Sequence, residues 1–236
     1  MRPLIISSAL ALAAGCTQKS STAPAPSAEP ETKEQASRPG FKDLREFDVV
    51  SGKMTIKLRA GMTATLVAGG ARVGSGETGV EWDTARHEDG VVELALKDSA
   101  GKVIDTERVV VLNRGAEVFF NNGSSGKVEV PLTGYEHQHL RYHWEMAEGV
   151  KKVVAILIWD EPGFDLELSL GRGTCPHHGT TAAEEHSATS PIIISHAAPE
   201  GQALPAGQWF AHVRLENPQS LLGKSTSFSI RAYSTK

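Results

Sequence analysis

The segment from Lys151 to Gly173, KKVVAILIWDEPGFDLELSLGRG, restricts the fold more than any other part of the chain. Val153 to Trp159 is an unbroken apolar run rich in β-branched residues, too short and too closely flanked by turn residues for a helix. Such a run suits a strand covered on both faces. Phe164, Leu166, Leu168 and Leu170 then alternate with Asp165, Glu167 and Ser169, the period of a strand with one buried face and one wet face. Between them, Glu161-Pro162-Gly163-Phe164 has the chemistry of a type II turn, with proline presetting φ at the second position and glycine accepting a positive φ at the third. The segment therefore reads as a hairpin at the centre of a β-sandwich.

The rest of the chain repeats that pattern. Met54, Ile56 and Leu58 alternate with polar residues, as do Val92, Leu94 and Leu96, and Val109 to Leu112 is a buried-type run. Asp89-Gly90 and Ser99-Ala100-Gly101 are turns. Further along, Val128 to Leu132 reads as a short strand after a polar turn at Gly123 to Gly126. Leu140, Tyr142, Trp144 and Met146 form one face of a strand whose other face carries His139, Arg141, His143 and Glu145. A long loop is expected from Gly171 to Pro191, followed by strands at Ile192 to Ser195, Gln208 to Leu215 and Ser227 to Tyr233. The fold class is all-β, and Asn113-Arg114-Gly115-Ala116 is the expected boundary between two sandwiches, residues 41–115 and 116–236.

The N-terminus reads as a processing signal. Arg2 precedes an apolar stretch, Leu4 to Ala14, that is too short to span a bilayer, and small residues lead to Cys16. Leu12-Ala13-Ala14-Gly15-Cys16 resembles a bacterial lipoprotein signal, which implies a signal peptide over residues 1–15 and lipid on Cys16. The resemblance also implies the outer membrane where the source has two membranes. Thr17 to Gly40 is rich in Ser, Thr, Ala, Pro and Glu with almost nothing to bury, so residues 16–40 are expected to be a lipidated, disordered tether. As a flexible coil it would separate its ends by roughly 25 to 30 Å. Cys16 and Cys175 are the two cysteines, so lipid on Cys16 leaves Cys175 no partner for a disulfide. The net charge of −4 gives no electrostatic reason to expect nucleic acid.

Two further resemblances follow from particular residues. Gly79-Val80-Glu81-Trp82-Asp83-Thr84, Asp89-Gly90 and Lys97-Asp98-Ser99-Ala100-Gly101-Lys102 resemble the bacterial immunoglobulin-like domains. That implies an immunoglobulin-like first sandwich with Trp82 as a core anchor. Arg141-Tyr142-His143-Trp144, Phe164-Asp165-Leu166-Glu167-Leu168 and Pro205-Ala206-Gly207-Gln208-Trp209-Phe210-Ala211-His212-Val213 resemble the bacterial pre-peptidase C-terminal domain. That implies a jelly-roll-like second sandwich. Where members of that family bind a cation near the equivalent strand, Asp165 and Glu167 stand at the matching positions, with Glu167 replacing an aspartate.

Two groups of residues carry metal-ligand chemistry. His137 and His139 lie on one strand face roughly 7 Å apart, within chelating distance but only two in number. Cys175, His177, His178 and His186, with Glu184 and Glu185, gather in the expected loop, and thiolate with imidazole would take zinc or copper. An exposed polar strand face and a surface loop with incidental histidines account for the same residues. Cys175 is expected to react as an ordinary exposed thiol. No nucleophile elbow, His-Glu-x-x-His or phosphate-cradling glycine loop is present, so no enzyme activity is expected. The first functional expectation is a lipid-anchored envelope protein that presents β-sandwich modules to an extracellular protein or polysaccharide. The alternative is a protein that binds zinc, copper or calcium through His137, His139, the Cys175–His186 loop, or Asp165 and Glu167.

Overall fold

The computed structural model describes residues 40–59, 63–132 and 140–236. The alternating segments of the N-terminal part form β1 (Val49–Val50), β2 (Lys53–Lys57), β3 (Ala64–Ala68), β4 (Ala71–Gly76), β5 (Gly79–Asp83), β6 (Gly90–Lys97) and β7 (Val103–Val111). They build one sheet in the order β1-β7-β6-β3-β4, with β1 parallel to β7, and a two-stranded sheet of β2 and β5. Ile56, Val80, Trp82, Leu66, Leu96 and Val109 from both sheets meet in one core. Trp82 is 3% exposed, as a core anchor should be.

The remainder forms β8 (Gly115–Glu117), β9 (Ser125–Glu129), β10 (Leu140–Met146), β11 (Lys152–Trp159), β12 (Leu166–Gly173), β13 (Gly179–Ser187), β14 (Ile192–Ala197), β15 (Gly207–Leu215) and β16 (Ser225–Thr235). One sheet runs β10-β15-β12-β13; the other runs β14-β11-β16-β8, with β9 also paired to β16. Tyr142, Trp144, Leu166, Leu168, Trp209 and Ile230 are among the side chains packed between them. The architecture is all-β and sandwich-like, and the helical turns among the described residues are three short 3-10 segments, Thr84–Arg86, Pro176–His178 and Pro218–Leu221.

The double-sided burial read from Val153 to Trp159 has two separate causes. Val153, Ala155, Leu157 and Trp159 point into the second core. Val154 and Ile156, with Ile158 beside them, point the other way and pack with Tyr233, Phe47 and Val110. Phe47 and Val110 belong to the first group of strands, so the outer faces of β11 and β16 are covered by the outer face of β7 and the residues before β1. Arg231 Nη1 donates to Phe47 O at 3.3 Å across that layer, and the Arg108 guanidinium lies 5.0 Å from the Phe47 ring centroid. Val109–Val111 obeys the same rule, with Val109 and Val111 in the first core and Val110 in the shared layer. An apolar run without alternation is what a strand between two cores requires.

Three sequence expectations are corrected. The Glu161–Phe164 turn closes no hairpin: β11 pairs with β14 and β16, whereas β12 pairs with β13 and β15 in the opposite sheet. The turn carries the chain between layers, with Gly163 at φ +85° and Phe164 buried beneath it. The same turn chemistry serves either connection, and the buried Phe164 directs the chain across the core. The stretch from Gly171 to Pro191 is not a long loop, because Gly179–Ser187 is β13, paired along β12 with one irregularity at Leu170/Gly171. Lastly, the strand expected at Val128 to Leu132 lies at Ser125–Glu129, where Ser225–Ser229 of β16 supplies its partners, and Leu132 is exposed.

Candidate functional site

The face of β12 and β15 that turns away from the second core is more enclosed than a wet sheet face. Glu167, Ser169, Phe210 and His212 all lie there and all are buried. Gly171 makes room for this packing: a Cβ at that position would stand 2.6 Å from Phe210 Cζ. Ser169 Oγ donates to Glu167 Oε1 at 2.7 Å, Arg214 Nη2 donates to Glu167 Oε2 at 2.6 Å, and Arg214 Nε lies 2.6 Å from Glu216 Oε1. Burial raises the Glu167 pKa, but the hydrogen bond from Ser169 and the Arg214 charge outweigh it and hold the carboxyl below its ordinary range. Glu167 is thus an ionised, committed acceptor and not a free carboxylate facing water. On neighbouring β10, His143 is pushed below its ordinary value by burial and by the charge of Arg141.

The residues singled out for metal binding are distributed as follows. His186 Nδ1 lies 3.4 Å from Asp165 Oδ1, and His186 is the register partner of Glu167 across β12 and β13. Cys175 precedes the 3-10 turn Pro176–His178 and is 1% exposed. His177 and His178 sit on that turn, with their side chains at the surface. No group of three or more His, Cys, Asp or Glu side chains converges among the described residues. His137 and His139 lie outside the described residues, as does Cys16.

Burial corrects the expected reactivity of Cys175. A thiol at 1% exposure meets reagent only when the segment opens, and opening of a packed strand end costs several kcal/mol. Alkylation of Cys175 in the native protein should be about 100-fold or more slower than in denaturant. Equal rates by mass spectrometric quantification would mean that the Gly173–Gly179 turn does not pack as described.

Two open clefts lie around Arg86 and His87. The larger, 660 Å³, is walled by Lys53, Met54 and Thr55 of β2, Ala71, Arg72 and Val73 of β4, Glu81, Trp82 and Asp83 of β5, and Arg86 and His87. The second, 520 Å³, lies where the two groups of strands meet, between Ala85–Asp89, Asn113 and Arg114 on one side and Lys151, Lys152, Ala197 and Ala198 on the other. Arg86 and His87 belong to both walls. A buried bracket fixes them. Thr84 Oγ1 donates to Asn113 Oδ1 at 2.7 Å, and Asn113 Nδ2 donates to Thr84 O at 2.8 Å. Asp89 accepts from the backbone N–H of Asn113 at 2.7 Å and of Arg114 at 2.9 Å. Asp83 accepts from Ala85 N at 3.1 Å and caps the Thr84–Arg86 turn. Sequence reading missed these clefts. The Asp89-Gly90 pair carried the one available signal, and it was legible as a turn without the groove it frames.

No family model matches the chain, and no curated protein matches it. Among solved structures, the chain is similar to SGBP-B of the Bacteroides ovatus mixed-linkage glucan utilization locus in complex with mixed-linkage heptasaccharide. The two are 12% identical, with a TM-score of 0.30 over 84% of this chain and 53% of that one. It is also similar to a carbohydrate-binding module of the β-sandwich superfamily, at 11% identity and TM-score 0.28 over 82% and 95% of the two chains. A third likeness is to the secreted serine protease VesC from Vibrio cholerae, at 12% identity and TM-score 0.27 over 83% and 50%. The chain therefore spans about half the length of the glucan-locus protein and of the protease. With a glucan-locus protein and a protease at equal distance, these likenesses assign no activity.

Proposed function

We propose that this protein is a lipid-anchored envelope protein that binds an extracellular ligand without transforming it, and that the clefts around Arg86 and His87 are where it binds. The observation that supports this reading is the pair of adjoining clefts, framed by caps and a buried Thr84–Asn113 bracket. Rigid walls of this kind lower the ordering cost of binding. The nearby His87 stacks edge-on against Trp82 at 5.3 Å. A polysaccharide panel tests the reading on the full-length protein in detergent: saturable binding with the polymer length unchanged is expected, whereas depolymerisation, or no binding to any member, would overturn it. The anchor has its own test. Cys16→Ser should move the protein from the membrane fraction to the soluble fraction, and a variant that still sediments after a salt wash would exclude lipid on Cys16 as the attachment.

The second reading, a metal-binding protein, is favoured by one contact, the His186–Asp165 pair on adjacent strands. Metal analysis of protein purified without a tag separates the two readings, since stoichiometric zinc, copper or calcium would support this one.

A further inference from the structure

We infer that the two clefts form one continuous track for an acidic polysaccharide, with Arg86 at its middle and Lys152 at the junction of the sandwiches. This rests on the ligand-binding reading above and names the class of ligand.

Elsewhere among the described residues, Arg108 pairs with Glu46, Arg214 with Glu167 and Glu216, Lys57 with Asp43, and Lys127 with Glu129, while others, Lys97, Lys102, Arg141 and Arg172 among them, make no ion pair. Along the track, Lys53, Arg86, Arg114, Lys151 and Lys152 make no ion pair among the described residues. Lys152 is half-buried, and its Nζ stands 3.5 Å from where a Cβ on Gly90 would lie, against the Asp89-Gly90 turn. An ammonium held against a cleft wall without a counter-ion is free to pair with an anionic ligand. The acids that line the same walls, Glu81, Asp83, Glu88 and Asp89, form no ion pair with these cations among the described residues. Asp83 and Asp89 accept from backbone N–H groups at Ala85, Asn113 and Arg114, and Glu81 and Glu88 are exposed. The chain as a whole carries −4, so this is a local concentration of cations on an acidic protein.

Shape selects the ligand further. Two clefts that share the Arg86 and His87 walls make an extended path, which suits a linear polymer bearing charges at intervals more than a single small anion. Neutral sugars are held chiefly by stacking on aromatic faces, and the aromatic residue of this track, Trp82, is 3% exposed and spent on the core. Recognition by charge is what remains. Low-dielectric walls on both sides focus the field between them, and the interaction should weaken with salt.

The test uses the full-length protein in detergent with polygalacturonate and dextran sulfate as polyanions and dextran as the neutral control. Binding to both polyanions is expected, with affinity falling about tenfold or more between ~50 and ~200 mM salt, and dextran should not bind. Arg86→Gln and Lys152→Gln should each weaken binding about fivefold or more, Lys152→Arg should retain it, and Lys127→Gln, outside the track, should leave it unchanged. Thermal melting of each variant within error of wild type ties the losses to the site. Salt-insensitive binding, equal binding to dextran, equal losses in Lys127→Gln, or binding to phosphatidylglycerol vesicles in place of either polyanion would each overturn the inference. Binding to neutral polymers alone would defeat this inference and leave the ligand-binding reading standing, whereas binding to nothing would defeat both.

Discussion

Ile156→Asp should unfold the protein or lower its melting temperature by well over ten degrees. Ile156 is fully buried in the layer where β11 and β16 meet Phe47 and Val110. A carboxylate placed there loses its water, and the cations at this layer are already engaged: Arg231 Nη1 donates to Phe47 O, and Arg108 pairs with Glu46. Burying an uncompensated charge costs several kcal/mol, comparable to the whole stability of an ordinary domain. Ile156→Val is the matched control, because it removes one methylene without adding charge and should cost roughly 0.5 to 1.5 kcal/mol. If Ile156→Asp melts within a degree or two of wild type in scanning calorimetry, the shared layer is open in solution and the two groups of strands do not pack. If only one half unfolds, seen as a protease-resistant fragment, the layer is real but each sandwich is stable alone.

That shared layer shows how far the sequence could be read. The run Val153–Trp159 announced burial on both faces, and the structure supplies a core for each face. What it could not announce was the partner, because Phe47 and Val110 lie far away in sequence and carry no pattern that distinguishes a second interface from an ordinary core. Misreading the Pro162-Gly163 turn as a hairpin has a similar origin: turn residues specify local φ and ψ, whereas the choice of sheet is made by β14, β15 and β16, which come later in the chain. Strand β13 was missed because GTTAAEEHS has no apolar alternation. As an edge strand it is held through backbone pairing with β12, which sequence composition does not record. The clefts were invisible for another reason. Lys53, Arg72, Arg86, Arg114, Lys151 and Lys152 are spread across both halves of the chain, and only the fold brings them into line.

The second large effect contrasts two adjacent residues of β12. Leu166 is fully buried between the sheets, and Leu166→Ala should cost roughly 2 to 5 kcal/mol at any pH, since it removes packing and leaves a cavity. Glu167 points the other way, and its alternation with leucine suggests a near-neutral substitution. Its geometry predicts otherwise. Glu167→Ala removes the acceptor of Ser169 Oγ and of Arg214 Nη2, while Arg214 keeps Glu216 at 2.6 Å, so the cost should be about 1 to 3 kcal/mol at neutral pH. The pH dependence separates this from simple loss of packing. Because the folded carboxyl is held below its ordinary value of 4.5, its stabilising contribution is complete above that value and is lost as pH falls through the folded pKa. The stability gap between wild type and Glu167→Gln in urea titrations should therefore close below about pH 4.5, while the Leu166→Ala gap persists. A Glu167→Gln gap that stays constant down to pH 3 would mean that Glu167 acts by shape alone and that its ion pair with Arg214 contributes nothing.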